Sequence, residues 1–330
     1  MRPESQRTFQ STHQPQLPRI NRRKAVLGMA ASLGAARWVT GQEAQAALPR
    51  PLGLSSAPPL DAKTSPICVF TKPFNSLSFN EMAERIAELG FEGIEAPIRK
   101  GGHVEPAEVP DKLPALVEAL KKCGLEISIM TSDINDASDP LSVQTLKVAA
   151  SLGIKRYRMK YFKYDLKRPV SEQLEAWRPK FRELADLNRE LGIRALYQNH
   201  AGKNTLGAPL WDLKSVLKGI KPTEIGVAYD IRHAVVEGGK SWPITFDMIR
   251  AHIDSIYVKD FVWESGKLKN VPLGDGQVPQ EFFRLLAKTD FSGPISLHEE
   301  YLDHRRPELV PDHLAAIRKD ITTLKMLLQR

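Results

Sequence analysis

Eight short apolar runs alternate with amphipathic stretches from residue 66 onward, and this alternation restricts the folds open to the chain. Each run has the length of a buried strand. The runs begin 26 to 39 residues apart, which leaves room for one strand and one returning helix. The predicted strands are 67–71, 93–98, 126–131, 156–162, 194–200, 225–230, 255–260 and 294–300.

Helical patterns fill the spaces between these strands. Apolar residues recur three and four positions apart, and three of the stretches stop at a glycine, namely Gly90, Gly124 and Gly192. Eight strands with eight helices predict a (β/α)₈ TIM barrel of the α/β class, formed as a single domain by residues 66–330. An open doubly wound sheet is the alternative, but the first strand is followed by Thr71, Lys72 and Pro73 rather than by a glycine-rich phosphate turn.

The first 46 residues have the layout of an export signal. Arg22 and Arg23 precede a weakly apolar run at 25–36, and an A-x-A cleavage site follows at 44–46. The paired arginines resemble a twin-arginine signal, which carries folded proteins out of the bacterial cytoplasm. We therefore expect residues 1–46 to be a signal peptide, residues 47–65 to be a proline-rich linker, and the protein to reach the periplasm or the cell exterior. A disordered basic tail with a chance arginine pair is the alternative.

Charge and composition exclude several classes of protein. The chain of 330 residues carries a formal charge of +8, of which +5 lies in residues 1–46. The remaining +3 gives no basic face for nucleic acid, so no nucleic-acid partner is expected. Two cysteines cannot form a disulfide framework, and no apolar run is long enough for a stable membrane span.

Polar residues gather at the carboxyl ends of the predicted strands, where TIM barrels place their active sites. Side chains alternate across a strand, so apolar residues that face the helices leave their neighbours facing the barrel axis. On the fourth strand Tyr157, Met159 and Tyr161 should face the helices. The residues expected to face the axis at these ends are Glu95, Arg158, Lys160, Gln198, His200, Asp230, Tyr257, Lys259, His298 and Glu300.

These side chains suggest a set of roles. Glu300 or His298 would transfer a proton, Lys259 would stabilise negative charge or act as a base, and Glu95 would act as a general base or bind a substrate hydroxyl. The expected substrate contacts are Gln198, His200, His233, Arg158, Lys160, Tyr257 and His103.

Residues 66–330 resemble the xylose isomerase-like TIM barrels, also called the sugar phosphate isomerase/epimerase or AP endonuclease family 2. The motifs that carry the resemblance, in the family's order, are Gln198-Asn199-His200-Ala201-Gly202, Asp230-Ile231-Arg232-His233, Val258-Lys259-Asp260, Pro272-Leu273-Gly274-Asp275-Gly276 and Ser296-Leu297-His298-Glu299-Glu300-Tyr301.

The resemblance implies one divalent metal, Mn²⁺, Mg²⁺, Co²⁺ or Zn²⁺, held by a Glu, an Asp, a His and a Glu on the last four strands. Asp230 and Glu300 match that pattern, whereas Gln198 and Tyr257 replace the first Glu and the His. A rebuilt set of Asp230, Glu300 and His298 with either His200 or His233 is the predicted metal site. The alternative is that these histidines contact substrate and no metal binds.

The resemblance implies a sugar isomerase or epimerase that removes a proton next to a carbonyl through an enediolate. Its partner would be a small sugar or keto-sugar. The two departures from the metal pattern leave room for a keto-sugar lyase, and a non-catalytic sugar-binding protein would retain many of the same polar residues. An abasic-site endonuclease is disfavoured because it needs a basic face for phosphate.

Overall fold

The computed structural model describes residues 65–329. In this range eight parallel strands form a closed barrel. The barrel strands are β1 (Ile67–Phe70), β2 (Gly93–Pro97), β3 (Glu126–Thr131), β4 (Arg156–Arg158), β5 (Arg194–Gln198), β6 (Ile225–Asp230), β7 (Ile253–Val258) and β10 (Ile295–Leu297). β1 pairs with β2 on one side and with β10 on the other, which closes the barrel in the order β1-β10-β7-β6-β5-β4-β3-β2. The predicted TIM barrel is therefore confirmed.

Helices return the chain from each strand to the next. They are α1 (Phe79–Glu88), α2 (Val109–Lys122), α3 (Pro140–Ser151), α4 (Val170–Leu191), α5 (Trp211–Val216), α6 (Ile231–Gly238), α7 (Trp242–Ile249), α8 (Gln280–Leu286) and α9 (Val310–Leu327). Ser78 and Glu81 form a capping box that begins α1. Gly90, Gly124 and Gly192 all have φ between 65° and 77° just past their helices, where a side chain would be strained. The predicted glycine stops are therefore confirmed.

An antiparallel hairpin interrupts the strand–helix alternation after β7. β8 (Asp260–Glu264) and β9 (Lys267–Val271) pair in register from Asp260 with Val271 to Glu264 with Lys267. Asn270 on β9 donates from Nδ2 to the backbone oxygen of Glu300 at 3.1 Å, and its Oδ1 accepts from Arg232 at 2.8 Å. The hairpin is therefore fastened to the carboxyl ends of the barrel strands.

Two apolar regions flank the strands. A large core packs the outer faces of the strands against the helices. A small separate cluster of Ile129, Leu196, Ala228 and Tyr257 comes from the inner faces of β3, β5, β6 and β7. This inner apolar layer excludes water from the side of the polar groups that faces the barrel interior.

The predicted signal peptide and nearly all of the predicted linker lie outside the described residues. Within residues 65–329, no helix combines the length and the apolar character needed to cross a bilayer. Cys68 and Cys123 are both free.

Candidate active site

Lys259 is the cation at the centre of the candidate site. It follows β7 directly, and its side chain is 4% exposed. Its Nζ lies 3.3 Å from Oδ2 of Asp230 and 3.0 Å from Oε2 of Glu300, so one ammonium bridges two carboxylates from different strands. Burial alone would lower the pKa of Lys259, but these two carboxylates raise it above its usual value. Lys259 is therefore a fixed positive charge.

Asp230 is held in place by its neighbours on β5 and α6. Gln198 Nε2 donates to Asp230 Oδ2 at 2.7 Å, and the backbone N–H of His233 donates to Oδ1 at 3.1 Å. Asn199 exchanges two hydrogen bonds with the Asp230 backbone, at 2.7 and 3.0 Å. The Asp230 carboxylate caps α6 and contacts Lys259, so its role is to position these two elements of the site.

Glu95 lies inside the barrel with no solvent exposure. It accepts hydrogen bonds from Tyr257 at 3.0 Å, Ser296 at 2.7 Å and His298 at 2.8 Å. Thr131 also donates to it, and Arg158 lies 3.6 Å away. Burial alone would raise the pKa of this carboxyl, but the charges and hydrogen bonds of its partners lower it to about 2. Because the Glu95 carboxylate already accepts hydrogen bonds from all of these partners, it does not fit the expected role of general base. Its geometry is that of a counter-ion for His298.

His298 and Glu300 follow β10 and face each other across 3.7 Å, between His298 Nδ1 and Glu300 Oε1. Burial lowers the pKa of His298, but the nearby Glu95 raises it. The net change is an increase in pKa, which favours the imidazolium. Its Nε2 donates to Glu95, whereas the buried Nδ1 has no hydrogen-bond partner among the described residues. The imidazolium therefore presents one unused N–H donor beside Glu300.

Glu300 is the acidic side chain of this group that reaches solvent, at 29% exposure against 0% for Asp230 and Glu95. Burial would raise its pKa, but Lys259 and His298 hold the pKa well below its usual value. It is therefore ionised and accessible at the mouth of the barrel.

The remaining predicted residues are placed as follows. Arg158 is buried and donates to Tyr161 Oη at 2.6 Å. The rings of His200 and His233 lie 4.1 Å apart, and burial lowers the pKa of both, that of His200 to about 4. His103 lies 2.8 Å from Thr71 Oγ1, and burial likewise lowers its pKa to about 4.

Two expectations about direction were wrong. Tyr161 was expected to face the helices, but its hydroxyl donates to Gln198 at the site. Lys160 was expected to face the axis, but it is exposed. Both departures have one cause: β4 ends at Arg158, so the alternation of an extended strand no longer applies beyond it.

The donor set does not fit a divalent metal. Within residues 65–329, no group of three or more His, Cys, Asp or Glu side chains is arranged to hold one, so Asp230, Glu300, His298 and His200 do not assemble as predicted. Lys259 occupies the space between the two carboxylates, and Tyr257 turns to Glu95 instead. The ammonium already supplies the positive charge that two carboxylates require.

Sequence reasoning missed Tyr161 and Phe70. The Phe70 ring lies 4.9 Å from the ring of His298, and Tyr161 lies 5.0 Å from that of His200. Phe70 was counted only as part of an apolar strand, although its alternation with Val69 could have placed it on the inner face.

A family profile described as the xylose isomerase-like TIM barrel matches residues 83–320. This chain belongs to that family. No curated protein matches it in sequence.

Solved structures with the same fold agree with this xylose isomerase-like assignment. A D-psicose 3-epimerase from Clostridium cellulolyticum H10, with D-tagatose, has a TM-score of 0.60 at 12% identity, covering 80% of this chain and 99% of that one. A probable 3-DHS dehydratase from Bacillus anthracis has a TM-score of 0.58 at 17% identity, covering 76% and 98%. A xylose isomerase-like TIM barrel protein from Mycobacterium smegmatis, in complex with magnesium, has a TM-score of 0.56 at 16% identity, covering 78% and 99%. At these identities the likeness is one of fold.

Proposed function

We propose that this protein is a carbohydrate-active enzyme of the sugar isomerase or epimerase type, which removes a proton next to a carbonyl through an enediolate. The observation that carries the proposal is the group formed by Glu300, Lys259 and His298 at one end of the barrel. It combines an accessible ionised carboxylate, a fixed ammonium and an imidazolium with one unused N–H. The names of the structural relatives, which include an epimerase and a dehydratase, agree with this chemistry.

Each of these groups has a role in proton abstraction. A substrate that covers the mouth excludes water from Glu300, which raises the pKa of the carboxyl toward that of a useful general base. Lys259 stabilises the negative charge that develops on the carbonyl oxygen. The His298 imidazolium donates from Nδ1 to a substrate oxygen, and Glu95 keeps the ring in place through Nε2. No step requires a metal, since Lys259 supplies the positive charge.

A lyase that eliminates water from a keto-sugar is the second candidate. Glu300 and His298 both follow β10, so base and acid approach the substrate from the same strand end. Gln198, the neutral amide on β5, supplies no second carboxylate for the opposite face. Proton removal by Glu300 and proton donation by His298 from the same strand end therefore suit elimination as well as isomerisation.

The experiment is a screen of aldoses, ketoses and keto-sugars by proton NMR in D₂O, using the full chain. We expect solvent deuterium in the product, and Glu300→Gln and Lys259→Gln should each lower kcat about 10²-fold or more. Dialysis against EDTA should leave turnover unchanged.

An isomer as product indicates an isomerase or epimerase, whereas a deoxy keto-product indicates a lyase. Undiminished turnover in both folded variants contradicts the proposed site. A rate that EDTA abolishes and Mn²⁺ restores contradicts the role given to Lys259.

Export is part of the proposal and rests on residues 1–46. The arginine pair, the weakly apolar run and the A-x-A site support a twin-arginine signal and a location in the periplasm or outside the cell.

A further inference from the structure

A cavity of about 570 Å³ is lined by residues that follow β1, β2, β3 and β10, at the carboxyl ends of the barrel strands. It is large enough for a small ligand. Its lining includes four cationic side chains, Lys72, Arg99, Lys100 and Arg305, but only one carboxylate, that of Asp133. Arg305 is paired with Asp303, at 2.9 and 3.1 Å, so the positive charge of the cavity comes from Lys72, Arg99 and Lys100.

Lys72 and Arg99 are the two half-buried cations of this cavity. Neither side chain makes a hydrogen bond or an ion pair with another residue in the 65–329 range. Burial lowers the pKa of Lys72, as do the nearby charges of Arg99 and Lys259, while Glu300 raises it. Removing two like charges from water without a partner is costly, so this arrangement favours an anion that the protein itself does not supply.

The ring of Phe70 lies between a residue that lines the cavity and a residue of the candidate active site. The Arg99 guanidinium lies 5.9 Å from the centre of the Phe70 ring, and that ring lies 4.9 Å from the ring of His298. The charges of Glu300 and Lys259 act in opposite directions on the pKa of Lys72. A small molecule whose carbonyl reaches Lys259 can therefore place its other end against Lys72 and Arg99.

We propose that Lys72 and Arg99 bind the carboxylate of an acidic sugar, so that the substrate is a sugar acid rather than a neutral sugar. This inference rests on the proposed function and names its substrate class. The planar guanidinium of Arg99 can donate two parallel hydrogen bonds to a carboxylate, and Lys72 adds a point charge. Asp133, which also lines the cavity, disfavours a doubly charged phosphate.

Calorimetric titration of the full chain tests the proposal with D-glucuronate, D-galacturonate and D-mannuronate, each against its neutral parent hexose, and with D-glucose 6-phosphate. At least one uronate should bind ten times or more tightly than its parent, the size expected for a charge-assisted hydrogen bond. Lys72→Gln and Arg99→Gln should each reduce that preference to about threefold or less. Lys147→Gln, which removes one exposed charge on α3, should preserve it.

Three results would overturn the assignment: no uronate preference in the wild-type chain, an unchanged preference in both folded variants, or tighter binding of the phosphate than of any uronate. Because binding is measured without turnover, the two proposals fail separately. Turnover of neutral keto-sugars without uronate preference leaves the proposed function intact and refutes the carboxylate site. A uronate preference without deuterium exchange on any sugar leaves the carboxylate site intact and refutes the proposed function.

Discussion

Lys259 balances the charge at the strand ends through the position of one atom. Its Nζ lies between Asp230 and Glu300, two of the predicted metal ligands. An ammonium cannot polarise two oxygens as a divalent ion does, but it stabilises an enolate without the need to bind a metal. Gln198, which stands where the resemblance implied a Glu, is consistent with this exchange, because a site that holds a lysine needs fewer anionic donors.

Glu95 is the residue on which the inner polar network depends. We expect Glu95→Gln to lower the free energy of unfolding by about 3 to 5 kcal/mol, since it leaves Arg158 and His298 buried without their counter-ion. Urea unfolding measures this loss, with the exposed Glu183→Gln on α4 as the matched control.

The loss should depend on pH in a definite direction. The lowered pKa of Glu95 means that its contribution is present above its usual 4.5 and disappears as the pH falls toward about 2. The raised pKa of His298 means that the imidazolium's contribution is complete below 6.5 and disappears as the pH rises through the higher value. The difference between wild type and variant should therefore be largest between pH 4.5 and 6.5. A difference that does not vary with pH would contradict the ionised pair.

At the scale of elements, Asp260 joins the β8–β9 hairpin to the loop before α8. Its carboxylate accepts from the backbone N–H of Gly274, Gly276 and Val278 at 2.9 to 3.1 Å. The hairpin in turn holds Glu300 through Asn270. Hydrogen bonds to the backbone therefore connect the loop before α8, through the hairpin, to Glu300 at the site.

Gly276→Ala should disrupt this junction. A Cβ at that position would lie 2.3 Å from Asp260 Oδ1 and 2.5 Å from the backbone oxygen of Phe261, so the loop would have to move. We expect a loss of about 1 to 3 kcal/mol in unfolding free energy together with a lower kcat. Gly238→Ala, where a Cβ meets nothing within 4 Å, serves as the control. Equal stability of the two variants would show that the loop is not constrained by Asp260.

At the scale of the whole molecule, +5 of the formal charge of +8 lies in residues 1–46, the segment that we propose directs export. Replacing Arg22 and Arg23 with lysine keeps the charge but removes the pair that we propose is recognised. In a bacterium with a twin-arginine translocase, the wild-type chain should be exported and begin at Ala47, whereas the variant should stay inside at full length. Cell fractionation and mass spectrometry of the N-terminus measure both. Export of the variant, or export of wild type by a strain that lacks the translocase, would refute this route.

The sequence by itself determined the barrel, the glycines that end its helices and the strand ends at which polar groups gather, because strand and helix periodicity and φ > 0 positions are local properties. Tertiary structure alone decided that Lys259 fills the space between Asp230 and Glu300, that Glu95 is saturated, and that Lys72 and Arg99 face the same cavity. Those outcomes depend on distances between strands far apart in the chain. The error at Tyr161 has a related origin, since the point at which β4 stops pairing is set by its neighbours rather than by its own residues.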